Sequence, residues 1–154
     1  MRLRQKTNHI YSPVDGECVA LTDVSDAVFS SRMLGDGVAF IYDGDTIHSP
    51  CYGTVTMIAA TKHAIGIEMD NGAELLIHIG LETVATKGRG FDILVRVNQK
   101  VKPGQKLVAI DRAALRGYDL ITPLVVTNTQ GFLFDPAVVG AVGVGGDLFS
   151  VSAK

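Results

Sequence analysis

Apolar positions along the chain come in short runs divided by glycine-bearing turns. Val38–Tyr42, Gly53–Ile58 and Leu107–Ile110 are rich in hydrophobic and β-branched residues, and Asp15-Gly16, Asp36-Gly37, Asp43-Gly44, Asn71-Gly72 and Pro103-Gly104 punctuate them. Short β-prone runs at close spacing predict an all-β fold, a sandwich or a barrel. Only two segments predict helix, and both are short. Ser25–Met33 begins with Ser25 as a possible N-cap, and Arg112–Tyr118 follows Asp111, another good cap. The pattern Ser-Pro-x-x-Gly-x-Val occurs twice, from Ser12 and from Ser49. Each copy reads as a proline-set turn leading into a strand, so duplicated β units are expected. No linker or low-complexity stretch divides the chain, which predicts a short N-terminal arm over 1–10 and a single domain over 11–154.

Composition narrows the function classes. A chain of 154 residues with 47% hydrophobic and 19% charged side chains can bury a core without staples. A formal charge of −2 gives no reason to expect nucleic acid or an anionic membrane surface as partner. No apolar run reaches bilayer-spanning length, and the start, Met1-Arg-Leu-Arg-Gln-Lys, lacks the apolar middle of a secretory signal, so a cytoplasmic protein is expected. Cys18 and Cys51 show no metal-type spacing and are expected to be reduced, buried small hydrophobes.

The chemistry gathers in "KHAIGIEMDNGAELLIHIG", Lys62 to Gly80, where two of the four histidines stand among apolar residues. Asn71-Gly72 predicts a hairpin with a two-residue loop. Asp70 then faces Ala73 and Ile65 faces His78. His63 and His78 become diagonal neighbours on one face with Ile65, Ile67 and Leu76, about 7–8 Å apart by backbone. A three-residue loop over Asp70–Gly72 would shift the register by one and put the histidines on opposite faces.

Three chemistries suit a histidine pair in such a setting. A metal site needs further ligands, and His9 and His48 are remote in sequence, so no metal and no cofactor are expected. Hydrolysis needs a nucleophilic Ser or Cys in a characteristic context, which is missing. The third is histidine itself as nucleophile towards a phosphoryl group, with the second imidazole stabilising the phosphoryl oxygens. Gly80 and Thr61 would add a close backbone approach and a hydroxyl.

The segment "GAELLIHIGLETV", Gly72 to Val84, resembles the active-site signature of the glucose-type enzyme IIA domains of the bacterial sugar phosphotransferase system. "SPVDGECVALTDVSDAVFSSRMLGDGVAF", "TKHAIGIEMDNG", "VNQKVKPGQKLVAID" and "TPLVVTN" are similar to other parts of that family, from about Tyr11 to at least Asn128. The resemblance implies an antiparallel β-sandwich with very few helical residues. It implies a phosphocarrier that takes phosphate from phospho-HPr and passes it to a cysteine of a sugar-specific IIB domain coupled to a membrane permease, which would be its contact with membrane. By the same resemblance His78 is the phosphoacceptor and His63 its partner imidazole. Thr61 is the nearby hydroxyl, and the Gly80 carbonyl holds the acceptor ring through Nδ1–H, freeing Nε2.

The resemblance also implies a docking surface of Asp26, Val28, Phe29, Leu76 and Glu82, an apolar patch with an acidic edge suited to a basic partner. Ala59 and Ala60 depart from the family's bulky aromatic and acid, and Gly66 replaces a residue with a side chain. The chain starts close to its first strand, as expected of a short or excised IIA domain no less than of a free-standing one. The rival is a IIA-like regulatory module acting by contact, which would be expected to lose one histidine. A related zinc peptidase would need a downstream H-x-H, and a lipoyl or biotinyl carrier a lysine hairpin; neither is present.

Overall fold

A computed structural model describes residues 9–135 and 139–154. Among the described residues, fourteen strands run in the order β1 (His9–Tyr11), β2 (Gly16–Ala20), β3 (Asp36–Tyr42), β4 (Thr46–His48), β5 (Gly53–Ile58), β6 (Ala64–Met69), β7 (Glu74–His78), β8 (Phe91–Ile93), β9 (Lys100–Val101), β10 (Lys106–Ile110), β11 (Thr122–Val126), β12 (Phe132–Phe134), β13 (Gly140–Val142) and β14 (Asp147–Ala153). Every pairing is antiparallel. One sheet has eight strands, ordered β13-β2-β3-β11-β7-β6-β5-β9, and two smaller ones are ordered β1-β14-β12 and β4-β10-β8. The fold is an antiparallel β-sandwich, as expected. Strand β1 already includes His9 and Ile10, which the sequence assigned to the arm.

The strand orders repeat. Reading the large sheet from its two ends, β13-β2-β3-β11 matches β9-β5-β6-β7, and β1-β14-β12 matches β4-β10-β8. The Ser-Pro motifs mark this duplication. Each serine is fully buried and donates its hydroxyl two residues on, Ser12 to the Val14 carbonyl at 2.7 Å and Ser49 to the Cys51 carbonyl at 2.9 Å. The Ser12 carbonyl accepts from Gly145 N–H and the Ser49 carbonyl from Gly104 N–H, each at 3.0 Å. Those glycines belong to a second repeat not singled out above, Val-x-x-Gly-x-x-Leu, at Val101–Leu107 and Val142–Leu148.

Alternation along the large sheet separates two cores. Val38, Phe40, Leu75, Ile77, Leu124 and Val126 point into the main core between the sheets. Ala39, Val125 and half-buried Leu76 point the other way, into a smaller cluster roofed by Leu21, Val24 and Phe29. That roof is the β2–β3 connection, and its helix is shorter than predicted. Helix α1 spans only Ala27–Ser30, capped by Asp26, not Ser25, whose carboxylate accepts from Val28 N–H at 2.9 Å. Arg32, in the left-handed region at φ 62°, ends it. Arg112–Tyr118 is a run of turns, not a helix. Asp111 accepts from Ala113 and Ala114 N–H as predicted for a cap, but Gly117 at φ 92° breaks the chain before a ladder develops.

The hairpin register differs from the expected one. Ala64 faces His78 and Glu68 faces Glu74, so the loop holds three residues, Asp70 to Gly72. Gly72 N–H donates to the Met69 carbonyl, and the Asn71 side chain accepts from Ala73 N–H. The slip moves Ile65, Ile67, Leu75 and Ile77 to the core face together. It leaves Glu68, Glu74, Leu76 and His78 on the opposite face.

Candidate phosphoryl-transfer site

Strict alternation in this register would put His63 on the face opposite His78. The rings nevertheless meet, with centroids 4.9 Å apart and planes at 78°. The reason is that His63 lies outside β6. Residues 59–63 form a turn closed by Lys62 N–H to the Ala59 carbonyl at 2.8 Å, with Lys62 left-handed at φ 63°. The turn releases His63 from the strand's two-residue period, and its ring swings to the side of His78. One main-chain bond ties the two together: Ile79 N–H donates to the His63 carbonyl at 2.7 Å.

His78 closes β7 on the face of Leu76. Its Nδ1 is 2.8 Å from the Gly80 carbonyl oxygen. A carbonyl only accepts, so the neutral ring carries its proton on Nδ1, and Nε2 keeps its lone pair. Phe29 stands against the ring, centroids 5.0 Å apart. Burial is the main cause holding His78 below the ordinary imidazole pKa, opposed by the Gly80 bond and the charge of Asp26. His63 is also held low, first by burial and then by His78, with a hydrogen bond to the Thr61 backbone working against both. The Thr61 hydroxyl lies 2.7 Å from His63 Nδ1.

The loop after His78 requires glycine. Gly80 has φ 79°, and a Cβ there would stand 2.7 Å from Thr83 Cγ2 and 3.0 Å from the Asp119 carbonyl oxygen. Thr83, fully buried, donates its hydroxyl to the Ile79 carbonyl at 2.6 Å, and Leu81 N–H donates to the Asp119 carbonyl at 2.9 Å. Neither Thr83 nor Asp119 was singled out from the sequence. A threonine five residues after the histidine was visible as a helper only once the chain was seen to turn back there.

The structure thus brings Thr61, His63, His78 and Gly80 together. Of the expected docking residues, Val28 is 38% exposed, Leu76 is half-buried, and Glu82 is exposed with a left-handed backbone at φ 59°. Asp26 is occupied as the cap of α1. Phe29 is only 3% exposed, so it walls His78 and offers little surface to a partner. Val84, 53% exposed two residues past Glu82, extends the apolar rim. Gly66 opposes a bulge between Val55 and Met57, where a Cβ would lie 3.3 Å from both Met57 Cβ and Thr56 Oγ1. Its lost side chain therefore goes with the bulge, not with the histidines.

Other candidate groups lie apart. A cleft of about 590 Å³ lined by Asp15, Tyr42, Asp45 and His48 includes neither histidine of the pair. Cys18 and Cys51 are buried free thiols, and burial pushes Cys18 up to about 11. No three His, Cys, Asp or Glu side chains are grouped for a metal among the described residues, and none of the described helices is long and apolar enough to cross a membrane.

Known proteins resemble the chain over most of its length. The chain is 47% identical over 129 residues to the PTS system beta-glucoside-specific EIIBCA component of Bacillus subtilis (strain 168), covering 82% of this chain and 21% of that protein. It is 46% identical over 124 residues to the PTS system glucose-specific EIICBA component of Staphylococcus carnosus (strain TM300), covering 79% and 18%. The chain thus spans about a fifth of the length of these relatives. Among solved structures, glucose permease IIA from Mycoplasma capricolum superposes with a TM-score of 0.84 at 36% identity, over 93% of this chain and 94% of that one. With residues 8–132 matching the family described as phosphoenolpyruvate-dependent sugar phosphotransferase system, EIIA 1, the chain belongs to that family.

Proposed function

We propose that residues 11–154 act as one IIA-type phosphocarrier domain that accepts a phosphoryl group from phospho-HPr on His78 and hands it to a IIB domain. The observation that carries this reading is the bond from His78 Nδ1–H to the Gly80 carbonyl, which leaves Nε2 as the nucleophilic nitrogen. In the transfer, the Nε2 lone pair forms the new bond to phosphorus while the bond from phosphorus to the donor's histidine nitrogen breaks. A cysteine thiolate of the IIB domain then displaces His78 in the same sense.

His63 does complementary work. With the Thr61 hydroxyl as donor in their 2.7 Å contact, His63 takes the other neutral tautomer, with the proton on Nε2. That N–H is a donor for the phosphoryl oxygens, whose charge grows in transfer. Val28, Leu76, Val84 and Glu82 form the rim on which the partners dock. The names of the relatives suggest a IIB domain of β-glucoside or glucose type as the receiver.

Incubation with phospho-HPr followed by mass spectrometry tests the reading. One acid-labile phosphate on the peptide containing His78, lost on addition of a β-glucoside- or glucose-type IIB domain, is expected. No uptake would refute the carrier role.

A further inference from the structure

The carbonyl that orients His78 belongs to the Gly80–Leu81 peptide, and the N–H of that same peptide donates to the Asp119 carbonyl at 2.9 Å. The peptide is trans, so its C=O and N–H point in opposite directions. It therefore stands as a strut between the His78 ring and the β10–β11 connection. Rotation of that peptide would break both bonds at once. Gly80 at φ 79° and Glu82 at φ 59° leave the segment little conformational support of its own, so outside contacts must hold it.

The far end of the strut is itself built. The Asp119 side chain accepts from Ile121 N–H at 3.0 Å, a two-residue Asx-type turn that fixes the direction of the Asp119 main chain. Asp119 is exposed at its side chain, yet its carbonyl comes within 3.0 Å of where a Gly80 Cβ would stand. The contact between the two loops is thus close as well as hydrogen-bonded.

We propose that Asp119 is a positioning residue for the phosphoacceptor: its side-chain turn aims its carbonyl at Leu81 N–H, and the peptide so held presents the Gly80 carbonyl to His78 Nδ1–H. A hydrogen bond to one end of a peptide polarises the group and strengthens the acceptor at the other end. Asp119 therefore favours the Nδ1–H tautomer, the one with Nε2 free, without touching the phosphoryl group. This rests on the reading of His78 as acceptor, but its effect on the ring exists without any phosphate.

Two substitutions separate the turn from the charge. Asp119→Asn keeps a side-chain oxygen two residues before the Ile121 N–H and loses the charge. Asp119→Glu keeps the charge but is too long to close the same turn. Nitrogen NMR of the unphosphorylated chain reads the His78 tautomer, and phosphate uptake from phospho-HPr reads the rate. Asp119→Asn should match the parent in both. Asp119→Glu should shift His78 towards a mixture of tautomers and slow uptake in proportion to the Nδ1–H form lost, about twofold for an even mixture. An unchanged tautomer in Asp119→Glu, or an Asn variant as impaired as the Glu variant, overturns the proposal. If the parent takes up no phosphate the carrier reading fails, while the tautomer measurement still decides the role of Asp119.

Discussion

The two halves of the sandwich share a plan and differ in their connections. Strands β4 to β10 repeat the arrangement of β1 to β3 with β11 to β14, down to the hydroxyl-locked turns at Ser12 and Ser49. Between β5 and β6 the chain takes five residues, 59–63, and ends them on His63; between β2 and β3 it takes fifteen, 21–35, and builds α1. The longer connection brings no imidazole. It brings Phe29, which leans on the His78 ring supplied by the other half. Duplication thus accounts for the scaffold, and the proposed chemistry lies where the copies diverge. Connections tolerate such change because they cost the paired strands nothing.

The comparison can be broken most severely at the two histidines. His78→Ala should abolish phosphate uptake from phospho-HPr, because no neighbour replaces a covalent nucleophile. Normal uptake on His63 in that variant would reverse the roles. His63→Ala should still accept phosphate on His78 but roughly 10²–10³ more slowly, the usual cost of losing one electrostatic donor, with His63→Gln between the two. Equal total loss in both alanine variants would make the histidines a single unit.

The shared scaffold should respond evenly. Ser12→Ala and Ser49→Ala each strip the hydroxyl from a buried turn and should each lower stability by about 1–3 kcal/mol, leaving uptake unchanged. Thermal or urea unfolding measures this, and a cost confined to one serine would show the two turns are not equivalent.

The smallest expected effect is on pH. His78 is held below its ordinary value of 6.5, so uptake should stay flat as pH falls through 6.5 and decline only lower down. The same shift means the folded chain binds fewer protons than the unfolded one in that window. The His78 contribution to stability is therefore complete above 6.5 and is lost as pH falls towards its folded pKa. Melting curves of parent and His78→Ala should converge or cross in that direction, and divergence in favour of the parent at low pH would contradict the sign.

Much of this was legible in the residues, and the misses have local causes. Glycine-bearing turns and β-branched runs marked the strands because each rule acts within a few residues. The hairpin failed by one residue because Asn71-Gly72 suits two-residue and three-residue loops alike, and only burial of Ile65, Ile67, Leu75 and Ile77 on one face decides. The histidines converge despite the slip because Lys62 turns left-handed just before β6, and nothing in a lysine announces a positive φ. The α1 segment was overextended because its only buried side chain is Phe29, so there is no apolar stripe to sustain further turns. Thr83 and Asp119 act through main-chain carbonyls, Thr83 on that of Ile79 four residues back and Asp119 with its own from across the fold, which no side-chain pattern reveals.

The central claim is that the Gly80 carbonyl holds the His78 proton on Nδ1 and leaves Nε2 to take phosphorus. Nitrogen NMR of the labelled chain after phosphorylation, read through coupling to phosphorus, tests it directly. One phosphohistidine is expected, His78, with phosphorus bonded to Nε2 and the proton still on Nδ1. A phosphoryl group on Nδ1 of His78, or on either nitrogen of His63, would contradict it.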